Sequence, residues 1–410
     1  VQLSFVEKAK KMLKNNEGFF RTGCTLLDLS IGGGEGLGFP QGRIINFVGD
    51  KSSGKTFCAN EVLAKNYHDM NGKFKWNYDD CEDGYTFNSK HLYNFEIMDE
   101  DTLKSETIEN LDVNINRFLK KLKKDDCGVY IIDSLDGLSN EELNERSEER
   151  FKNAEKGREK KEKGTYGMKT PKFLSQEFFR TKAGEVWKKK GALVFISQVR
   201  SNIDPFSFKK YTRSGGKALD HFCHSVLWLA NLQKIKKVVK GETKIVGLVV
   251  KAKLDKSKTP RPFRECSFSL YFDYGIDNIG SNLDYLFNLR SEKGELLSAS
   301  KSIQWSGKEK NLKNLKEFLE KNEWYELAKK EKKDETGKAN LSVEWLCEWL
   351  DKQEVRKKKT EEHFGDSYSR DALIKMIEEN PKMEKELEIR TIAKWEEMED
   401  AIKSDRRSKY

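Results

Sequence analysis

Eight residues, Gly49-Asp50-Lys51-Ser52-Ser53-Gly54-Lys55-Thr56, fit the pattern G-x-x-x-x-G-K-[ST]. They follow the apolar run Ile44–Val48 directly and open a helical stretch that carries Val62 and Leu63. A strand, a glycine-rich turn and a helix start in that order imply an α/β fold in which backbone N–H groups curl around phosphate oxygens. In such a turn Lys55 is expected to reach the β- and γ-phosphates and the Thr56 hydroxyl to ligate Mg²⁺, with Phe57 the first residue beyond.

The flanking sequence supports an open sheet. Short apolar runs at Ile44–Val48, Phe74–Tyr78, Val129–Ile132 and Leu193–Ile196 are nearly continuous, as in parallel strands covered on both faces. Between Leu103 and Lys123, Ile108, Leu111, Ile115, Phe118, Leu119 and Leu122 recur at helical spacing. Runs at Val226–Leu229, Ile245–Val250 and Phe268–Phe272 come without intervening helices, so an antiparallel extension is expected there. The predicted fold class is a P-loop α/β core with a mostly parallel twisted sheet, followed by a small α-rich domain.

Three strand ends add polar groups to the edge where such folds bind ligands. Asp133 closes Val129–Ile132 and is the expected second holder of Mg²⁺. Glu82 lies just beyond Phe74–Tyr78, where a carboxylate can orient or deprotonate an attacking water. Spacing alone leaves Asp79, Asp80 and Asp83 as its rivals. Gln198 follows Leu193–Ile196 and is placed to sense the γ-phosphate. Residues 199–217 then carry Arg200, Lys209, Lys210, Arg213 and Lys217 against one acid, Asp204, interleaved with Phe206, Phe208 and Tyr211 and including Gly215-Gly216. Cations suit a phosphate backbone and aromatic rings stack on bases, so this segment is a candidate nucleic-acid loop.

Charge locates the rest. Of 77 basic and 68 acidic residues among 410, residues 281–410 hold 28 and 29, which leaves an excess of ten positive charges in residues 1–280. An anionic partner for the first two-thirds follows as an expectation. Glu141–Lys163 is a dense mix of Glu, Lys and Arg that reads as a solvated insertion. Five of the eight tryptophans (Trp305, Trp324, Trp345, Trp349 and Trp395) fall beyond residue 280 and are expected to fill a helical core of their own. Seven scattered cysteines without a C-x-x-C pair argue for a reducing compartment. The absence of an apolar run of roughly 18 residues argues against a membrane span. A cytoplasmic protein is expected.

Together these residues resemble the RecA-type recombinases over about residues 20–280, and the bacteriophage T4-type members most closely. Arg21-Thr22-Gly23-Cys24-Thr25-Leu26-Leu27-Asp28 resembles the family's segment leading to the P-loop. Asp80-Cys81-Glu82-Asp83-Gly84 is similar to its acidic turn in register, which singles out Glu82 as the water-activating glutamate. Asp133-Ser134-Leu135 is similar to the Walker-B strand end, and Ser197-Gln198-Val199-Arg200 to the switch strand. Gly215-Gly216-Lys217-Ala218-Leu219 resembles the end of the second DNA-binding loop, and Glu141–Lys169 occupies the place of the first. By the same resemblance Lys256 and Lys258 are cations that reach a neighbouring protomer's ATP. Tyr85 is the candidate for stacking on adenine, although it is displaced from the family's position.

The resemblance implies residues 1–20 as a protomer-docking segment, 21–280 as ATPase and DNA-binding core, and 281–410 as an α-rich domain. It implies ATP and Mg²⁺ as cofactors, single- and double-stranded DNA as partners, a homo-oligomeric helical filament, and mediator or single-strand-binding proteins. It also implies bacterial or phage-infected cells as the setting. The expected activity is DNA-dependent ATP hydrolysis coupled to homologous pairing and strand exchange. A ring helicase on the same core, and an ATP-dependent regulator acting through the tryptophan-rich region, are the rival readings.

Overall fold

A computed structural model describes residues 4–70, 72–97, 102–141, 152, 155, 178–201, 211–213, 216–259, 261–297, 302–305, 312–332, 341–364 and 367–403. The apolar runs become its central strands, because each carries side chains that need cover on both faces. Helix α1 (Phe5–Lys14) opens the chain, its start fixed by a reciprocal capping box between Ser4 and Glu7. The short strands β1 (Phe19–Phe20) and β2 (Phe39–Pro40) pair around α2 (Thr25–Gly32). Next come β3 (Arg43–Gly49), α3 (Lys55–Asp69), β4 (Phe74–Asp80), α4 (Ser89–Tyr93), β5 (Thr102–Leu103), α5 (Ile108–Lys121) and β6 (Cys127–Asp133). Helix α6 (Phe179–Lys188), β7 (Gly191–Ser201), β8 (Tyr211–Arg213) and α7 (Gly216–Phe222) lead into β9 (Ser225–Val239), β10 (Glu242–Ser257), β11 (Glu265–Tyr271), β12 (Gly275–Asp277) and α8 (Asn278–Leu286).

The strands form one sheet in the order β12-β11-β10-β9-β3-β7-β6-β4-β5, with β8 folded back on β7. From β9 to β5 the neighbours are parallel, and β10, β11 and β12 extend the sheet antiparallel. This is an α/β fold with a mostly parallel central sheet. Alternate residues feed two cores. Ile45, Phe47, Val129, Ile131, Val194 and Ile196 face one, and Ile44, Val48, Tyr130, Ile132, Leu193 and Phe195 face the other. Strands β9 and β10 run much longer than their apolar runs, for 15 and 16 residues. Their distal halves are exposed and paired through backbone, so hydrophobic patterning carries no trace of them.

The chain divides into two compact units, residues 1–295 with 384–410, and residues 296–383. The second unit contains β13 (Ile303–Gln304), α9 (Leu312–Lys321), α10 (Tyr325–Glu331), α11 (Val343–Asp351), α12 (Glu354–Phe364), β14 (Ser367–Tyr368) and α13 (Arg370–Glu378). Its core holds Leu315, Phe318, Leu319, Leu346, Trp349 and Leu350, with Trp324 and Trp345 packed against them. The division therefore departs from the compositional boundary at residue 280. Helix α8 and most of the last helix, α14 (Pro381–Ala401), count with the first unit. The reason is contact chemistry. Ile392 and Trp395 join the main hydrophobic core, Lys8 pairs with Glu396, and Arg261 and Arg264 pair with Glu399. Arg21 bridges Asp28 and Glu388, at 2.5 and 2.6 Å.

Candidate functional site

The glycine-rich turn spans the gap between β3 and α3, as its flanking sequence demands. Gly54 (φ 88°) and Ser52 (φ 57°) are left-handed, which turns successive N–H groups towards one concavity. Gly49 has no room for a side chain, since a Cβ there would lie 2.2 Å from Ser53 Oγ and 2.7 Å from the Leu229 carbonyl oxygen. Lys55 folds over the turn and donates to the carbonyl oxygens of Gly49 (2.9 Å) and Asp50 (2.8 Å). Burial lowers the pKa of its ammonium, and the nearby carboxylates, Asp133 foremost, oppose that. Ser53 Oγ is buried without a hydrogen-bond partner, as fits a cradle built to meet an oxygen-rich ligand.

A cleft of about 270 Å³ opens beside the turn, lined by Ser52 to Phe57 together with Phe87, Leu248, Leu270 and Phe272. Phe57 and Phe87 meet edge to face at 4.7 Å. Tyr85 does not line this cleft. Its hydroxyl donates to Asn60 Oδ1 at 2.8 Å, its ring packs on Tyr78 at 4.7 Å, and burial pushes its pKa up to about 12. The tyrosine thus serves as backing to Phe87, and the aromatic walls are Phe57, Phe87 and Phe272, of which only Phe57 was anticipated.

Asp133 ends β6 next to the turn. Its Oδ2 accepts from the Thr56 hydroxyl (2.9 Å) and the Tyr78 hydroxyl (2.6 Å). Burial raises its pKa, and those two hydroxyls work the other way by favouring the carboxylate. Thr56 and Asp133 together fit the two-ligand protein share of an Mg²⁺ shell, in which phosphates and waters supply the rest. Among the described residues no cluster of three or more His, Cys, Asp or Glu is built to hold a metal by itself.

The acidic turn after β4 separates its four rivals. Asp79 is fully buried and accepts from Ser105 N and Oγ and from the Tyr130 hydroxyl. Asp80 accepts from the amides of Gly84 and Tyr85, and Asp83 pairs with Lys104. Asp79 is thus tied to Ser105 and β6, Asp80 closes the turn, and Asp83 is paired. Glu82 is exposed and takes its hydrogen bonds from the neighbouring strand ends: Oε1 accepts from Ser134 Oγ and from Gln198 Nε2, the latter at 3.1 Å. The structure therefore brings Glu82 and Gln198 together from 116 residues apart. Asp136, in the single helical turn Leu135–Gly137 after β6, accepts from the Gln198 amide at 2.9 Å and from the Arg200 guanidinium. Ser134, Asp136 and Tyr78 were not anticipated, because their relevance comes from contacts across strands.

Of the basic aromatic loop, Phe206, Phe208, Lys209, Lys210 and Gly215 lie outside the described residues, as does most of Glu141–Lys163. Gly216 and Lys217 begin α7. Arg200 stands exposed at the root of the loop, where β8 pairs back onto β7. Arg213 departs from the expectation of a DNA contact. Its side chain is buried, reaching Asn46 Oδ1 and pairing with Asp220, so it anchors β8 to the sheet.

Lys256 and Lys258 lie at the end of β10. Lys256 sits opposite Val226, whose strand neighbour Asn46 is the middle residue of β3, three residues before the phosphate turn leaves at Gly49. Three residues of β3, roughly 10 Å along the strand, and the width of β9 and β10 lie between them. Lys256 Nζ donates to the last carbonyls of α7, those of Asp220 and His221. Burial first, and Lys258 second, lower its pKa. Lys258 is exposed and its backbone amide donates to the His224 carbonyl oxygen. His224 is buried beside this basic edge. Burial, with Arg43, Lys258 and Lys256 in that order, lowers its pKa to about 4.

The RecA N-terminal domain model matches residues 159–277. Protein RecA of Mycoplasma mobile is 27% identical over 312 residues, covering 75% of this chain and 84% of that protein. The chloroplastic DNA repair protein recA homolog 1 of Arabidopsis thaliana is 25% identical over 300 residues, covering 73% and 62%. Protein RecA of Geobacter sulfurreducens is 29% identical over 275 residues, covering 67% and 71%. The chain is thus similar to RecA proteins at 25–29% identity. Among the described residues no helix is long and apolar enough to cross a membrane.

Proposed function

We propose that the chain is an ATP-dependent DNA recombinase. It assembles with ATP and Mg²⁺ into a filament on single-stranded DNA, pairs that strand with a homologous duplex and promotes exchange. One observation carries the reading: the Gln198 amide, on the strand that enters the basic 199–217 segment, donates to Glu82, beside the paired Thr56 and Asp133. A nucleotide site and a candidate DNA segment then share one strand.

In this reading the turn from Gly49 to Thr56 grips the triphosphate through backbone N–H groups and the Lys55 ammonium. Phe57, Phe87 and Phe272 give the base apolar walls. Thr56 and Asp133 hold Mg²⁺, which when bound neutralises charge on the phosphate oxygens. Glu82 takes a proton from the attacking water. Gln198 leaves Glu82 for the γ-phosphate, and the β7 strand passes that change to Arg200 and to Lys209, Lys210 and Lys217 beyond it. Lys256 donates to the carbonyls at the end of α7, and by the family resemblance it and Lys258 act at a neighbour's nucleotide. The exposed Val6 of α1 is the candidate for protomer docking, with residues 1–20 as the docking segment. The bacteriophage T4-type branch stays part of the proposal, as do mediator or single-strand-binding partners.

The test is imaging with single-stranded DNA and a non-hydrolysable ATP analogue, alongside ATPase and strand-exchange assays. Helical filaments, DNA-stimulated turnover and joint molecules are expected, and Lys55→Ala should lose all three. Closed rings, or turnover indifferent to DNA, would refute the reading.

A further inference from the structure

The carboxylate of Asp136 faces two ways. Its Oδ2 accepts from the Gln198 backbone amide at 2.9 Å, while its Oδ1 accepts from Arg200 Nε at 3.0 Å and Nη2 at 2.5 Å. Asp136 is half-buried, and its own backbone amide donates to Ser134 Oγ at 3.3 Å. Ser134 Oγ also donates to Glu82. A contiguous set of hydrogen bonds therefore runs from Arg200 through Asp136 and Gln198 to Glu82. Arg200 is the one cation of this set and is 59% exposed on its side chain, so a phosphate in solvent can reach it. At its other end, Glu82 Oε1 already accepts two hydrogen bonds, which hold it in place as an acceptor.

We infer that Asp136 is a positioning residue that senses DNA. Without DNA it holds Arg200 and, with the same carboxylate, pins the backbone of Gln198 so that the Gln198 amide stays on Glu82. A DNA phosphate competes with Asp136 for the Arg200 guanidinium, because both offer charged oxygens to one planar fork. Once Arg200 turns to the phosphate, the Asp136 carboxylate loses its guanidinium contact. Gln198 is then held less firmly, and Glu82 is released to meet the water. No bond is made or broken in this step other than hydrogen bonds. The inference rests on the recombinase reading above, and in particular on Arg200 as a phosphate contact.

The pair is open to solvent on the arginine side, and exposed ion pairs are weak, so the expected effect is modest: roughly twofold to fivefold. The experiment uses the full chain with four variants, Asp136→Asn, Asp136→Glu, Arg200→Gln and the double Asp136→Asn/Arg200→Gln. It reads ATP turnover without DNA, the oligothymidylate concentration giving half-maximal stimulation, and direct oligothymidylate binding by fluorescence anisotropy. Asp136→Asn should raise DNA-free turnover and lower the half-stimulating DNA concentration, each by roughly twofold to fivefold. Asp136→Glu, which keeps the charge, should restore the DNA requirement. Arg200→Gln should weaken DNA binding and abolish the effect of the second change, the mark of one coupled unit.

Unchanged DNA-free turnover in Asp136→Asn, with DNA binding weakened in Arg200→Gln, overturns the inference and leaves the recombinase reading standing. DNA binding unaffected by Arg200→Gln overturns it as well. An unsubstituted protein whose turnover ignores DNA overturns the functional reading first. If Asp136→Asn melts early, Asp136→Glu and Arg200→Gln carry the test, and equal DNA requirements in those two variants overturn the inference.

Discussion

Gly137→Ala isolates the placement of Glu82 from the binding of nucleotide. A Cβ at Gly137 would sit 2.3 Å from the Cys81 carbonyl oxygen, 2.8 Å from its carbon and 3.2 Å from Glu82 Cγ. Ordinary contact begins at 3.4 Å, so the acidic turn must retreat by about 1 Å. It cannot retreat freely, because the Cys81 amide is bonded to the Asp133 carbonyl oxygen at 2.8 Å. Overpacking of this kind costs about 1–3 kcal/mol of stability. A displacement of about 1 Å at a group that must meet the reacting water costs on the order of a hundredfold in turnover. The phosphate turn lies on β3 and α3 and touches none of these atoms, so affinity for a fluorescent ADP analogue should stay within about twofold. The assay is DNA-stimulated ATP turnover beside nucleotide binding and thermal melting. Gly184→Ala is the control: it lies within α6 with nothing inside 4 Å of the added carbon, and should be neutral or stabilise by about 0.5–1 kcal/mol. Normal turnover in Gly137→Ala, or an equal loss of nucleotide binding, would refute the reasoning.

Glu82→Gln should retain nucleotide and DNA binding while turnover falls by roughly 10²–10⁴, read by steady-state hydrolysis; a loss below tenfold would return the base role to an unassigned group. Lys256→Ala/Lys258→Ala should abolish turnover alone yet regain part of it when mixed with Lys55→Ala protein, since a mixed boundary can pair an intact turn with intact lysines; no recovery at any ratio argues against action on a neighbour. His224 imposes a pH dependence on stability. Its folded pKa of about 4 lies below the ordinary 6.5, so the unfolded chain binds the extra proton between those values. The associated stability is present above pH 6.5 and lost as pH falls towards 4, by at most about 3 kcal/mol. Urea unfolding at pH 7 and pH 5 should show a smaller drop in His224→Gln than in the parent, and equal drops would remove His224 as the cause.

The parts legible in the chain were those whose physics is local. Four central strands announce themselves because both faces are covered, and the phosphate turn does so because strand, glycines and helix start are contiguous. Asp133 and Gln198 could be placed at strand ends, and Glu82 in the turn after β4. Contacts were not legible: spacing leaves Asp79, Asp80 and Glu82 as neighbours of one charge type, and beyond the resemblance that singles out Glu82 it is pairing with Ser105, Tyr130 and Gln198 that separates them. Arg213 illustrates the converse, since a charge count assigns every cation to the surface while burial beside Asn46 and Asp220 turns this one into a strut. The aromatic walls Phe87 and Phe272 were hidden because their strands and turns are distant in sequence. Helix α14 looked like its lysine- and glutamate-rich surroundings, and only Ile392 and Trp395 in the main core distinguish it.

That helix changes what truncation means for this chain. Residues 296–383 are covalently attached at both ends to the same unit, as an insertion and not a tail. A stop codon near residue 295, the obvious way to prepare an isolated catalytic fragment, would strip Trp395 and three carboxylates from the surface they cover. It would take Glu396 from Lys8, Glu399 from Arg261 and Arg264, and Glu388 from Arg21. Internal excision that rejoins residue 295 to residue 384 through a short linker respects the topology. By the same logic a single proteolytic nick between those residues would sever the chain without releasing either piece, and an intact-looking particle in gel filtration would hide the cut.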